Sequence, residues 1–145
     1  YLARRQEREL RRNIEEWRSE FRDSFRASLL AVRDEVEDTH RVEIEAVIRD
    51  DAPIDPNLTA AIEAAREAMA NAAKHSGSPN ITLYSEFANG EAHIHVRGSG
   101  TGFADDGQRN RVHERLARRV ENVGGLVEID TVPESGTEVK ITVQK

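Results

Sequence analysis

Glu67, Asn71, Lys74 and Ser78 fall at i, i+4, i+7 and i+11, around the run Glu67-Ala-Met-Ala-Asn71-Ala-Ala-Lys74-His75-Ser-Gly77. On a helix these positions share one face. An acid, an amide and a cation on one stripe have the chemistry that a magnesium–triphosphate site requires. The amide oxygen is a hard ligand for Mg2+. The carboxylate can orient or deprotonate an attacking group. The lysine ammonium can meet phosphate. Taken alone, such a stripe is also what an ordinary solvated helix face looks like, so the neighbouring segments must decide.

The elements that must position the stripe are legible on both sides of it. Asp50-Asp-Ala-Pro-Ile-Asp-Pro56 is a turn, and Asp55-Pro56 opens the helix, with Asp as cap and Pro at its first position. Ile62, Ala65, Met69, Ala72 and Ala73 lie largely on the side away from the stripe. His75-Ser-Gly-Ser-Pro79 stops the helix, with Gly near C′ and Pro just beyond. Upstream, Val42, Ile44, Ala46 and Ile48 alternate with mostly polar neighbours, which predicts a half-buried strand over 41–49 opened by His40. Downstream, 80–87 and 91–97 read as strands joined by Ala88-Asn-Gly90, and Asn-Gly is a strong hairpin signal. Gly98-Ser-Gly100-Thr-Gly102-Phe103 then leaves the second strand; a cluster of glycines lets backbone approach a ligand closely. A helix over 109–123 carries Val112, Leu116, Val120 and Val123 as its stripe, with Ala117 beside it, and Gly124-Gly125 ends it. Strands over 126–131 and 137–143 flank Pro133-Glu-Ser-Gly136.

Residues 1–38 contain neither Gly nor Pro. Leu10, Ile14, Trp17, Phe21, Phe25, Leu29, Val32 and Val36 form a helical stripe with a stutter rather than strict heptads. This predicts one long amphipathic helix, packed on the domain or on a second copy, followed by a domain over 39–145. Trp17, Phe21 and Phe25 make an aromatic ridge suited to self-association. The element order predicts an α/β fold, a two-layer α+β sandwich whose mixed five-stranded sheet carries helices on one face.

The 145 residues suffice for one domain with an appendage. A formal charge of −6 argues against a general nucleic-acid binder. The absence of cysteine excludes disulfides and thiolate metal sites. No run of some 18 apolar residues is present to span a membrane. The chain starts inside a charged helical pattern without Met, and so reads as a fragment. His93 and His95 share a strand face, but no third ligand stands at a recognisable spacing, so the zinc reading is not taken.

The run Arg66-Glu-Ala-Met-Ala-Asn-Ala-Ala-Lys-His-Ser-Gly77, the hairpin, and Gly98-Ser-Gly100-Thr-Gly102-Phe103 together resemble successive motifs of the GHKL, or Bergerat-fold, ATPases. The first resembles their N box and the last their G1 box. Within that group the chain is most similar to the catalytic domain of two-component sensor histidine kinases of the nitrate/degradation-sensor type. The resemblance covers about residues 40–145, and Gly124-Gly125 and Gly136-Thr137 resemble that domain's terminus. It implies ATP and Mg2+ as cofactors and transfer of the γ-phosphoryl group to a histidine outside this chain. Glu67 would orient or activate the reacting group, Asn71 would ligate Mg2+, and Lys74 and His75 would flank the phosphates. Gly100 and Gly102 would shape the adenine pocket, and Gly98 and Thr137 complete the nucleotide-binding set. Implied partners are a second copy, through the N-terminal helix, and a response regulator. The implied location is cytoplasmic, with any inner-membrane anchor supplied by upstream regions. His40 is set aside as phosphoacceptor because it opens a strand.

Two departures stand out. A G1 box normally reads Asp-x-Gly-x-Gly, its Asp accepting a hydrogen bond from the adenine amino group; here Gly98 occupies that place. Losing a charge-assisted bond worth roughly 1.5–3 kcal/mol should weaken nucleotide binding about ten- to a hundredfold. The segment before the third helix, where a glycine-containing G2 box belongs, holds Arg109 and Arg111, with Arg111 in place of the glycine. These departures leave two alternatives open: a kinase-derived signalling or dimerisation module without catalysis, and an anti-sigma-factor type serine kinase.

Overall fold

The computed structural model describes residues 24–75, 80–98, 106–132 and 136–145; for His75, residues 106–113 and 131–132 it describes the backbone alone. Helix α1 (Phe25–His40) leads to strand β1 (Glu43–Ile48), helix α2 (Pro56–His75), strands β2 (Asn80–Ala88) and β3 (Glu91–Gly98), helix α3 (Asp106–Glu121), and strands β4 (Leu126–Val132) and β5 (Gly136–Gln144). The five strands form one sheet in the order β1-β2-β3-β5-β4. β1 and β2 are parallel and every other pair is antiparallel, so the sheet is mixed. The three helices lie on one face, as the element order predicts. α2 is central: it packs on β3 and β5 and is flanked by α1 and α3.

The alternation along the strands explains the two layers. Ile44, Ile81, Leu83, Ile94, Val96, Val139 and Ile141 are buried beneath the helices, where they meet Leu58, Ala61, Ala65, Ala68 and Met69 of α2 and Leu116 and Val120 of α3. The small residues of α2 let it lie close to the sheet. The opposite face is polar; there Tyr84, His95, Lys140 and Glu128 stand in one cross-strand row, and Thr82, Arg97, Glu138 and Asp130 in the next. The hairpin between β2 and β3 turns through Asn89 (φ 56°) and Gly90 (φ 76°). Two consecutive positive φ values are what a type I′ turn demands, and Asn-Gly supplies them.

Two expectations for the N-terminal region are corrected. The helical stripe does not run unbroken through residue 24. Ser24 is extended (φ −88°, ψ 153°) and caps α1, its Oγ accepting the Ala27 N–H. The Phe25 N–H is turned to the Ala52 carbonyl at 2.8 Å, and Ser24 bridges to Pro53. Phe25 is also withdrawn from any exposed aromatic ridge. It is fully buried, its ring 5.1 Å from that of Phe87 at 45°. Trp17 and Phe21 lie outside the described residues. A third correction concerns His40, which closes α1 rather than opening β1; Arg41 follows as a left-handed cap and β1 starts at Glu43.

α1 is fastened to the edge strand β1 by buried charge. Glu37, with no exposed surface, accepts the Ile44 N–H at 2.6 Å, and Arg33 donates to the Ile44 carbonyl at 3.2 Å. Both polar groups of one edge residue are thereby satisfied by side chains of the same helix, a use of charge that also blunts a sheet edge. α3 ends in a full Schellman motif: Gly125 N–H reaches Val120 O, Gly124 N–H reaches Glu121 O, and Gly124 is left-handed at φ 79°.

Candidate functional site

Asp55 caps α2 through its side chain, its Oδ1 accepting the Leu58 N–H at 2.8 Å, as the Asp-Pro start predicts. The helix then continues through Glu67, Asn71, Lys74 and His75. Residues 76–79 link His75 to Asn80 of β2, too short a link to span more than about 18 Å. The end of α2 is therefore held at the edge of the sheet where β2 begins. In the sheet, Gly98 lies between Ile81 of β2 and Thr137 of β5, so that edge also carries the end of β3 and the start of β5. The topology gathers Lys74, His75, Gly98 and Thr137 at one end of the fold, and the 99–105 segment departs from the same end. Gly98 is buried, Thr137 half-buried and Lys74 exposed. Gly100, Gly102 and Ser78 lie outside the described residues, as does the His75 side chain.

Asn71 is 9% exposed, and its Nδ2 is buried without a hydrogen-bond partner among the described residues. An unsatisfied buried polar group costs about 1–3 kcal/mol. The oxygen and nitrogen of a side-chain amide exchange places by rotation, so the same position can present the oxygen. A buried amide with unspent hydrogen-bonding capacity, near the glycine-bearing edge, has the chemistry of a ligand to a hard cation. The Asn71 amide thus fits the part of one ligand to a bound Mg2+.

Glu67, one turn before Asn71, is not an open carboxylate. Arg115 Nη1 of α3 meets its Oε1 at 2.5 Å, and Arg119 Nη1 stands 3.9 Å from its Oε2. The Glu67 side chain is 15% exposed and that of Arg115 61%. Sequence reasoning passed over Arg115 and Arg119. The signal that identifies them is the matched spacing: Glu63 and Glu67 one turn apart on α2, Arg115 and Arg119 one turn apart on α3. The two arginines singled out from the sequence, Arg109 and Arg111, lie on α3, which starts at Asp106, ahead of the expected start. The segment that should resemble a glycine cradle is accordingly helical.

Elsewhere, His93 Nδ1 contacts Thr142 Oγ1 and His95 Nδ1 contacts Glu138 Oε1, each at 3.3 Å, on the polar sheet face. Among the described residues no three metal-ligating side chains converge. A depression of about 430 Å3 lies at the corner of the sheet between Arg41–Glu45 and Asn80–Thr82. No helix among the described residues is long and apolar enough to cross a membrane.

No family model and no curated protein sequence matches the chain. Solved structures do. The histidine kinase domain of the Erythrobacter litoralis blue-light-activated histidine kinase superposes with a TM-score of 0.64 at 17% identity, over 80% of this chain and 58% of that one. The mycobacterial sensor histidine kinase MprB gives 0.65 at 15% identity, over 83% of this chain and 95% of that one. Full-length ShkA in complex with AMPPNP gives 0.55 at 16% identity, over 82% of this chain and 28% of that one. The chain thus spans little more than half of the first of these and under a third of the last. At such identities the likeness is one of architecture, and the chain has the fold of histidine kinase catalytic domains.

Proposed function

We propose that this chain is the ATP-binding catalytic domain of a sensor histidine kinase. The observation that carries this reading is Asn71: a buried amide with an unpartnered nitrogen, one turn beyond an acid, in a fold shared with kinase domains. One of the similar structures is described as a complex with AMPPNP, which lends an ATP-type ligand to the proposal. ATP would supply the phosphoryl group, destined for a histidine outside this chain. Asn71 would hold Mg2+ through its amide oxygen. Lys74 and His75 would flank the phosphates, and Glu67 would orient the accepting imidazole or take its proton. Gly98, Gly100, Gly102 and Thr137 would line the nucleotide pocket. Catalysis of this class rests mainly on positioning and charge neutralisation. Pairing with a second copy through the N-terminal helix, and passage of the phosphate to a response regulator, complete the proposal.

A second reading is favoured by one residue. Gly98 has no carboxylate to receive the adenine amino group, so binding should be weak, and a signalling module that no longer turns over ATP is the consequence if binding is lost. An anti-sigma-factor type serine kinase would share the fold. Calorimetry with Mg-ATP on this chain and on Gly98→Asp separates the first two. Weak binding that tightens about ten- to a hundredfold in the Asp variant supports the kinase lineage with an impaired pocket. Absence of binding in both supports the non-catalytic module. Equal, tight binding in both removes the impairment from the account.

A further inference from the structure

The ion pairs of the helix layer form one ladder. Glu35 of α1 meets Arg66 of α2 at 2.8 Å, Arg66 reaches Glu63 at 3.6 Å, Glu63 reaches Arg119 of α3 at 3.9 Å, Arg119 reaches Glu67, and Glu67 meets Arg115. Because Glu67 pairs with Arg115 and Glu63 with Arg119, α2 and α3 run antiparallel where they touch. Glu67 is the most enclosed member of the ladder and Arg115 the most exposed. Both carboxylate oxygens of Glu67 face a guanidinium, so the acid is already engaged and is not open to a reacting group. Arg115 is engaged through one nitrogen, whereas a guanidinium has five N–H donors in a fixed fork suited to phosphate.

We propose that the Glu67–Arg115 pair is a latch, which holds the acid idle until a polyphosphate draws Arg115 onto itself. The proposal rests on the nucleotide reading of the Asn71 site. Its physical basis is competition. Asn71 is one helical turn from Glu67, so a polyphosphate held at Asn71 through Mg2+ would stand beside the turn of α2 that Arg115 meets. A triphosphate carries several negative charges against the one of Glu67, and its oxygens accept the bidentate bonds a guanidinium makes. Moving Arg115 from the acid to the anion frees Oε1 of the carboxylate at the moment the phosphates arrive, while Arg119 stays beside Oε2, so that the acid is released only when there is a group to transfer. The ladder extends this control to α1, because Glu35 and Arg66 hold the same row of charges from the other side.

The test is a double-mutant cycle with tripolyphosphate in excess Mg2+, titrated calorimetrically into this chain, Glu67→Gln, Arg115→Gln and the double variant. The latch predicts that Glu67→Gln tightens binding about three- to tenfold, because Arg115 no longer has a competing partner. Arg115→Gln weakens binding, and the double variant binds like Arg115→Gln. A gain from Glu67→Gln that persists in the Arg115→Gln background is general charge repulsion and overturns the latch. Equal affinities of this chain and Glu67→Gln overturn it too, while Mg-ATP binding by the same preparations leaves the nucleotide reading standing. Loss of both tripolyphosphate and Mg-ATP binding in all four proteins overturns the nucleotide reading and the latch with it.

Discussion

The Glu37 carboxylate accepts the backbone N–H of Ile44 at 2.6 Å, a helix side chain closing the open edge of the first strand from a fully buried position. Arg33 completes the contact on the Ile44 carbonyl and stands 3.8 Å from Glu37. Removing one member of such a buried set strands the other, which typically costs about 3–5 kcal/mol. Glu37→Ala should therefore lower the urea midpoint strongly. Glu37→Gln keeps an oxygen for the Ile44 N–H and should lose less. Unfolding curves for the two variants check this; equal, small losses would mean that α1 is held by Phe25 and Leu29 packing alone.

Under the proposed function, Asn71 would set metal binding against stability. Its buried nitrogen is unsatisfied among the described residues, and a fold selected for stability alone has no need of it. Asn71→Leu should leave thermal stability unchanged or raise it by about 1 kcal/mol, while abolishing Mg2+-dependent nucleotide binding. A large loss of stability would show that the amide is a structural member of the core.

The turn after α3 makes a steric prediction. A Cβ on Gly125 would lie 2.5 Å from the Thr142 carbonyl oxygen and 2.6 Å from Val120 Cγ1. Gly125→Ala should destabilise by about 1–3 kcal/mol through overpacking. At Gly124 the added methyl meets nothing within 4 Å but inherits a φ of 79°, so Gly124→Ala should cost about 1–2 kcal/mol. Thermal denaturation of the two single variants checks both values.

Much of this was legible in the sequence because it is local. The Asp55-Pro56 start, the Asn89-Gly90 turn, the Gly124-Gly125 stop and the alternation of the strands each obey short-range rules, and together they imply the layered sheet. The break at Ser24 was not legible: the four-residue apolar steps run straight through it, and what turns the chain there is the distant Ala52 carbonyl and Pro53. His40 was misplaced for a related reason, since a left-handed cap at Arg41 comes without the glycine that usually marks one. At the site, the stripe on α2 is readable from its spacing, whereas the engagement of Glu67 depends on how α3 lies across α2. Only matched pairs of charge, at Glu63 and Glu67 and at Arg115 and Arg119, hint at it, and such pairs are ordinary on helix surfaces.

The central claim is that the Asn71 face of α2, near Gly98 and Thr137, binds a magnesium nucleotide. Titration of Mg2+-AMPPNP followed by two-dimensional NMR tests it most directly, through the side-chain NH2 signals of Asn71 and the backbone signals of Gly98 and Thr137. The account predicts saturable shifts of all three that require Mg2+. Shifts confined to the Arg41–Thr82 corner of the sheet, or none at Asn71 while nucleotide binds, would contradict it.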